Sequence, residues 1–198
     1  MSVTTFIPSY SGTEEQRPYR GTVAMLSLIV GESALFTIFV VAYIFYLGKS
    51  LSGPTPRQVL EIPFFNTVCL LSSSLTIWIA ERGLTRKRVS AFGIWLGITI
   101  ALGLIFLAGT ALEWHKLIYQ DGLTISTNLF GTTFYSLVGL HATHVVLGLL
   151  MLSAVLAFTV AGKVTEDQAA RIGVLALYWH FVDAVWVIVF TVVYLVGR

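Results

Sequence analysis

Long apolar runs separated by short polar connectors dominate the chain. Five stretches, roughly 22–47, 63–81, 90–112, 130–161 and 172–196, stay apolar for about twenty residues or more. A hydrocarbon core of about 30 Å takes about 20 helical residues to cross, so each stretch is long enough to span a bilayer. Backbone groups in lipid must find their partners within their own segment, which predicts helices rather than open strands. The fold class expected is therefore all-α, an integral membrane bundle of five transmembrane helices. The connectors "GKSLSGPTPRQVLEIP", "ERGLTRKR", "EWHKLIYQDGLTISTN" and "AGKVTEDQAAR" carry most of the turn-forming Gly, Pro, Asn and Asp residues. Residues 1–21 read as a polar tail without the apolar core of a secretory signal, expected to stay outside the membrane, and 22–198 as the transmembrane domain. Neither half repeats the other, which speaks against an inverted-repeat transporter.

Composition narrows the class. The 198 residues are 56% apolar and only 11% charged, with a mean hydropathy of +0.83, whereas soluble domains carry about 25% charged residues. A net charge of +2 is too small and too dispersed for a nucleic-acid partner. Cys69 is the single cysteine, so no internal disulfide can form, and it reads as a small buried hydrophobe. Basic residues are unevenly placed. Arg17, Arg20, Arg82, Arg86, Lys87, Arg88, Lys163 and Arg171 fall on one membrane face, and Lys49, Arg57, Lys116 and Arg198 on the other. The positive-inside rule then puts the N-terminus in the cytoplasm and the C-terminus outside. The "TRKR" run is an orientation signal first and a contact for anionic lipid second.

Against this background a few ionisable residues stand out. Glu32 lies in "LIVGESALFTIF" on the first span, His141 and His144 in "GLHATHVVLG" on the fourth, and His180 and Asp183 in "YWHFVDAVWVIVFTVVYL" on the fifth. A charge at the bilayer centre costs at least about 2.5–3.5 kcal/mol, so each should face protein and find a partner. At 1.5 Å per residue, Glu32 stands roughly 15 Å above one membrane face, and His180 and Asp183 roughly 12–17 Å. His141 and His144 share a helix face, as do His180 and Asp183. Trp179, Asp183 and Trp186 follow the spacing of an inward ridge, and Gly139 and Ala142 permit close helix approach. The pattern predicts a buried polar belt joining the first, fourth and fifth helices. Three readings of it stay open: interhelical hydrogen bonding, a proton relay through Glu32 and a histidine, and a metal site on His-x-x-His plus a glutamate. Only three histidines lie inside the membrane, and no second Glu-x-x-His element appears. Glu113, His115 and Lys116 in "LEWHKL" read as interfacial ion pairing. Trp78, Trp95, Trp114 and Tyr119 read as interface or packing aromatics.

Four segments in order, "GESALFTIFVVAY", "LEIPFFNTVCLLSSS", "FGTTFYSLVGLHATHVVLG" and "LYWHFVDAVWVIVFTVVYL", resemble subunit III of the haem-copper respiratory oxidases, the cytochrome c and quinol oxidases. The likeness covers nearly all of residues 20–198. It implies an accessory subunit with no active site of its own and no haem or copper bound by this chain, those groups residing in partner subunits. Subunit I would be packed directly, with subunit II and others in the same complex, and structural phospholipids held at the surface. The role implied is to stabilise subunit I and to support proton uptake during oxygen reduction, in the inner membrane of a bacterium. By resemblance, Glu32 is the buried carboxylate associated with carbodiimide reactivity, and His144 its hydrogen-bond partner. Asp183 is expected to pair with His180. Trp179, Phe181, Trp186, Asn66 and Glu113 belong to signature packing, and Arg20 and Arg171 are candidates for lipid phosphates. The valines after Asp183 are expected to face lipid or subunit I. Larger members carry two further N-terminal helices that form one arm of a lipid-filled cleft, so here the cleft is expected to be absent or completed by another subunit. Two alternatives are an accessory protein of a nitric oxide reductase and a membrane enzyme with its own metal site.

Overall fold

The computed structural model describes residues 20–50, 53–165 and 168–197. Apart from Arg20 and Gly21, the tail expected over 1–21 lies outside the described residues. In chain order the elements are α1 (Arg20–Tyr46), a single turn α2 (Pro56–Val59), α3 (Phe64–Thr85), α4 (Val89–Tyr119), α5 (Leu129–Val160) and α6 (Ala169–Phe190). α6 runs on without a break into a π-helical turn over Thr191–Val196. No strand occurs among the described residues. Five of these helices are long and apolar enough to cross a membrane. The fold is an all-α membrane bundle.

Local chemistry sets the helix ends. α5 starts where Asn128 turns its side-chain oxygen to the Gly131 N–H at 2.8 Å, satisfying one of the donors a helix N-terminus leaves free. α3 closes in a Schellman turn: Lys87 sits at φ 62°, its N–H donates to the Leu84 carbonyl, and the Arg88 N–H donates to the Gly83 carbonyl. A lysine in the left-handed region is strained by about 1 kcal/mol or more, a position usually given to glycine. α4 continues past residue 112 to Tyr119. Its charged end stays helical because Leu117 still faces the bundle, 1% exposed, while His115 and Tyr119 look outward.

α6 is the centre of the bundle, packing against α3, α5 and α1, and α3 lies along α4 as an antiparallel pair. α1 stands at the periphery and packs mainly on α5 and α6. Between lipid-soluble helices no hydrophobic force drives association, so close van der Waals fit and interhelical hydrogen bonds do it. Trp179 shows how. Its indole is fully buried, and its Nε1 donates to Ser73 Oγ on α3 at 2.8 Å. A Cβ added at Gly148 of α5 would stand 2.8 Å from the ring, and one at Gly103 of α4 3.1 Å from it. One side chain therefore touches three neighbouring helices, and two glycines make the room. Asn66 on α3 lies over Gly109 of α4 in the same way, 2.1 Å from where a Cβ would be. Thr76 and Thr99 add a buried hydroxyl pair between α3 and α4 at 2.8 Å.

The segment after Asp183 does not turn its valines outward as a block. Val185, Val189, Val193 and Tyr194 are buried within this chain, whereas Val187, Ile188, Leu195 and Val196 are exposed. A helix wrapped on one side by α3 and α5 and on another by α1 must divide its residues by azimuth, so sequence neighbours part company. The outer surfaces remain apolar, as at Val30, Ile38, Phe64, Ile94, Leu150 and Val160.

Gly148→Ala drives a methyl group into the Trp179 indole and is expected to destabilise the bundle by about 1–3 kcal/mol through overpacking. A lowered midpoint of thermal unfolding in detergent reads this out. Gly97→Ala, where nothing lies within 4 Å of the new carbon, should not lower it.

Candidate functional site

Glu32 lies on α1 with its side chain a quarter exposed. Its Oε2 is 3.1 Å from His144 Nε2 on α5. The other ring nitrogen, Nδ1, is 2.8 Å from the Leu140 carbonyl one turn earlier on α5. A carbonyl oxygen only accepts, so Nδ1 carries a hydrogen. The contact at Nε2 then needs one more proton, on the carboxyl or on the imidazole. In either placement the pair as a whole is neutral, which is what a low-dielectric interior favours. The pair opens on a groove of about 330 Å³ whose apolar walls include Met25, Leu28, Leu147 and Met151, with Tyr178 beside them. Tyr178 donates to the His144 carbonyl at 3.2 Å, tying α6 to the same turn of α5.

His180 and Asp183 are joined through a third residue. Ser74 on α3 donates its hydroxyl hydrogen to Asp183 Oδ2, and His180 Nδ1 stands 3.0 Å from the same hydroxyl oxygen. A hydroxyl has one hydrogen, already given to Asp183, so the imidazole N–H donates to Ser74. The order is imidazole to hydroxyl to carboxyl, and the direct Asp183–His180 pair expected from i, i+3 spacing is replaced by this bridge. Both side chains project toward α3, and the small serine fits between them. Trp186, fully buried one turn further, donates its Nε1 to Thr67 Oγ1 at 3.2 Å. The serines and threonine of α3 were not singled out as site residues in the sequence. Their signal was the run "NTVCLLSSSLT", whose hydroxyls at helical spacing mark an interhelical face.

The single belt joining α1, α5 and α6 is corrected accordingly. Glu32 with His144 forms one group, and Ser74 with His180 and Asp183 another. His141 joins neither. It is fully buried, and neither ring nitrogen has a hydrogen-bond partner among the described residues. Trp186 lies 4.9 Å from it between ring centroids, Phe106 5.9 Å and Phe36 6.5 Å. Spacing of i, i+3 puts two histidines on one broad face, and both rings pack beside Phe36 of α1, but an azimuth difference of about 60° brings His144 to the Glu32 carboxyl and turns His141 toward Phe106 and Trp186. Among the described residues no group of three or more His, Cys, Asp or Glu side chains is placed to hold a metal ion.

A family model described as Cytochrome c oxidase subunit III matches residues 22–198. The chain belongs to the cytochrome c oxidase subunit III family. It is 39% identical over 169 residues to the cytochrome c oxidase subunit 3 of Alkalihalophilus pseudofirmus, covering 84% of this chain and 82% of that one. The Synechocystis protein of the same name is 34% identical over 195 residues, 96% of this chain and 82% of the relative. The cytochrome bo(3) ubiquinol oxidase subunit 3 of Pseudomonas aeruginosa is 33% identical over 171 residues, 85% and 81% of the two chains. These relatives are named for oxidases, and the nitric oxide reductase alternative is not favoured.

The other residues singled out in the sequence of this subunit III fall in different surroundings. Glu113 turns inward rather than into an interfacial ion pair: the Tyr194 hydroxyl stands 3.0 Å from each of its oxygens, while Lys116 pairs with Glu61. α6 reaches Tyr194 through its π-helical turn, which carries that ring to the end of α4. Phe181 is half-buried and lines an apolar groove between α1 and α6. Cys69 is buried. Arg20 is exposed at the start of α1, and Arg171 with Lys163 borders a groove of about 360 Å³ otherwise lined mainly by apolar side chains such as Val155, Phe158 and Leu175.

Ser74→Ala leaves the Asp183 and His180 side chains without their shared partner and is expected to destabilise the bundle by about 1–3 kcal/mol. The bridge itself is measured by a double-mutant cycle with Asp183→Ala, expected to show coupling of about 1 kcal/mol. Additive effects on thermal stability would rule the bridge out.

Proposed function

We infer that this chain, an accessory subunit III of a haem-copper respiratory oxidase, seats its first helix on the catalytic subunit I of a bacterial complex and holds that subunit in shape for sustained proton uptake. In this reading the haem and copper that reduce oxygen belong to the partner subunits, with subunit II in the same assembly. The chain lies in the inner membrane with its N-terminus in the cytoplasm, an orientation supported by the eight basic residues on one face against four on the other. Arg20 and Arg171 are the proposed contacts for lipid phosphates. The groove beside Arg171 supports the second, since cations at its rim and apolar walls suit a headgroup and an acyl chain.

The observation that carries this reading is the outward face of α1. Of its 27 residues only Phe36 and Tyr43 are buried. Ala24, Ser27, Gly31 and Ala34 are exposed and recur every three or four residues, a stripe of small side chains along the helix. A Cβ at Gly31 would meet nothing within 4 Å. The hydroxyls of Ser27, Ser33 and Thr37 are spent on carbonyls of their own helix, so they ask for no outside donor or acceptor. Such a stripe lets another membrane helix approach closely. Glu32, on the same helix and bonded to α5, fixes the rotation of α1 and hence where the stripe points.

Two substitutions separate the roles. Gly31→Leu is accommodated by the isolated subunit but should lower the ratio of subunit III to subunit I in the complex purified in mild detergent. An unchanged ratio would mean that this face meets lipid alone. Glu32→Ala leaves His144 Nε2 unpaired and should both loosen association and shorten sustained turnover, whereas Glu32→Gln can donate an amide hydrogen to Nε2 and should retain most of the assembly. Full occupancy, turnover and thermal stability in Glu32→Ala would defeat the buried-pair reading.

A further inference from the structure

At the membrane face that carries most of the basic residues, the end of α3, the Schellman turn and the start of α4 enclose a pocket of about 270 Å³. Arg82, Arg86 and Arg88 line it together with Trp78 and Trp95, and its floor is Ile79, Gly83 and Ala91. No carboxylate lines it, and among the described residues no ion pair involves any of the three arginines. Arg82 is already positioned: its guanidinium lies 3.4 Å from the centroid of the Trp78 ring one turn earlier. The tight turn through Lys87 sets Arg86 and Arg88 on either side of one residue and brings both to the same concavity. α4 begins there with no side chain capping its first N–H groups, and a helix of 31 residues offers the positive end of its dipole to the pocket. Gly83 keeps the two helices close, since a Cβ there would stand 3.3 Å from the Phe92 backbone nitrogen.

We propose that this pocket binds the phosphodiester headgroup of an anionic phospholipid, a site separate from Arg20 and Arg171. An orientation signal needs only positive charge on one side of the membrane. This one is also built: three arginines, whose planar forks match phosphate oxygens, line one pocket with apolar side chains, and Arg82 is held on Trp78. The two tryptophans lie within two turns of the connector between α3 and α4, where indoles near a membrane face favour the headgroup boundary, and Trp78 is 41% exposed. Basic pockets between transmembrane helices at the positive face are where anionic headgroups bind. A lipid differs from a free anion in that its acyl chains continue along the apolar outer surface of α3, where Leu71 and Leu75 are exposed above Trp78.

The test uses the purified complex, stripped of lipid by detergent exchange and titrated with phosphatidylglycerol, with bound lipid counted by native mass spectrometry. Arg86→Gln/Arg88→Gln should bind about thirtyfold more weakly at this site, from about 1 kcal/mol for each basic residue. Arg86→Lys/Arg88→Lys keeps the orienting charge but loses the bidentate fork and should fall in between. Lys49→Gln/Arg57→Gln removes the same charge from the other face and should bind as the parent does. Equal binding by the parent and the Arg86→Gln/Arg88→Gln complex would overturn the proposal. So would an equal loss in Lys49→Gln/Arg57→Gln, which would make the effect bulk charge. Phosphatidylcholine binding as tightly as phosphatidylglycerol, or full displacement by millimolar inorganic phosphate, would overturn it as well.

Discussion

Everything in this bundle leans on the burial of one indole. Trp179 stands on the central helix and reaches Ser73 on one neighbour and two glycines on two others. In lipid, exchanging a lipid contact for a helix contact releases little free energy, so helices need either tight fit or polar bonds to choose a register. Trp179 supplies both. Its ring demands Gly103 and Gly148 at fixed heights, and its N–H demands a hydroxyl at a fixed azimuth. With those met, Trp186 falls on Thr67, Asp183 on Ser74, and Tyr194 on Glu113, each at a later turn of the same helix.

The Glu32–His144 pair obeys a second constraint, that no net charge be left isolated in the interior. Glu32 and His144 satisfy it by sharing a proton across one contact, because the Leu140 carbonyl has already claimed the other ring nitrogen. His180 and Asp183 are tied through the Ser74 hydroxyl, which satisfies Asp183 Oδ2 by a hydrogen bond, while Oδ1 is buried without a hydrogen-bond partner among the described residues. The first of these pairs holds α1, in which only Phe36 and Tyr43 are buried, and so ties the polar chemistry of the interior to the most exposed helix of the bundle.

Much of the site was legible in the chain, but not its connections. Glu32, His144, His180, Asp183, Trp179 and Trp186 could all be marked as inward-facing, because an ionisable or bulky polar side chain in an apolar span has few other places to go. Shared face suggests one group for His141 and His144, yet only His144 finds hydrogen-bond partners, although both rings pack beside Phe36. Charged sequence neighbours suggest an interfacial pair for Glu113, whereas its partner is the Tyr194 hydroxyl, 81 residues away. Ser74 and Thr67 carry no distinctive signal in sequence beyond the hydroxyl run of α3, since a hydroxyl on a membrane helix can equally bond its own backbone, as Ser27 and Thr37 do here.

The sequence by itself determined the number of spans, the all-α class and which ionisable residues lie within the spans. These follow from terms summed locally: the length of apolar chain needed to cross a bilayer, and the need of each backbone group for a partner within its own segment. Only the tertiary structure decided which polar groups meet. That choice depends on the relative rotation and height of helices far apart in sequence, fixed by close fits such as Trp179 against Gly148 and Asn66 against Gly109. A shift of one residue along a helix turns a side chain by about 100°, enough to place a serine hydroxyl between a histidine and an aspartate or to take it away.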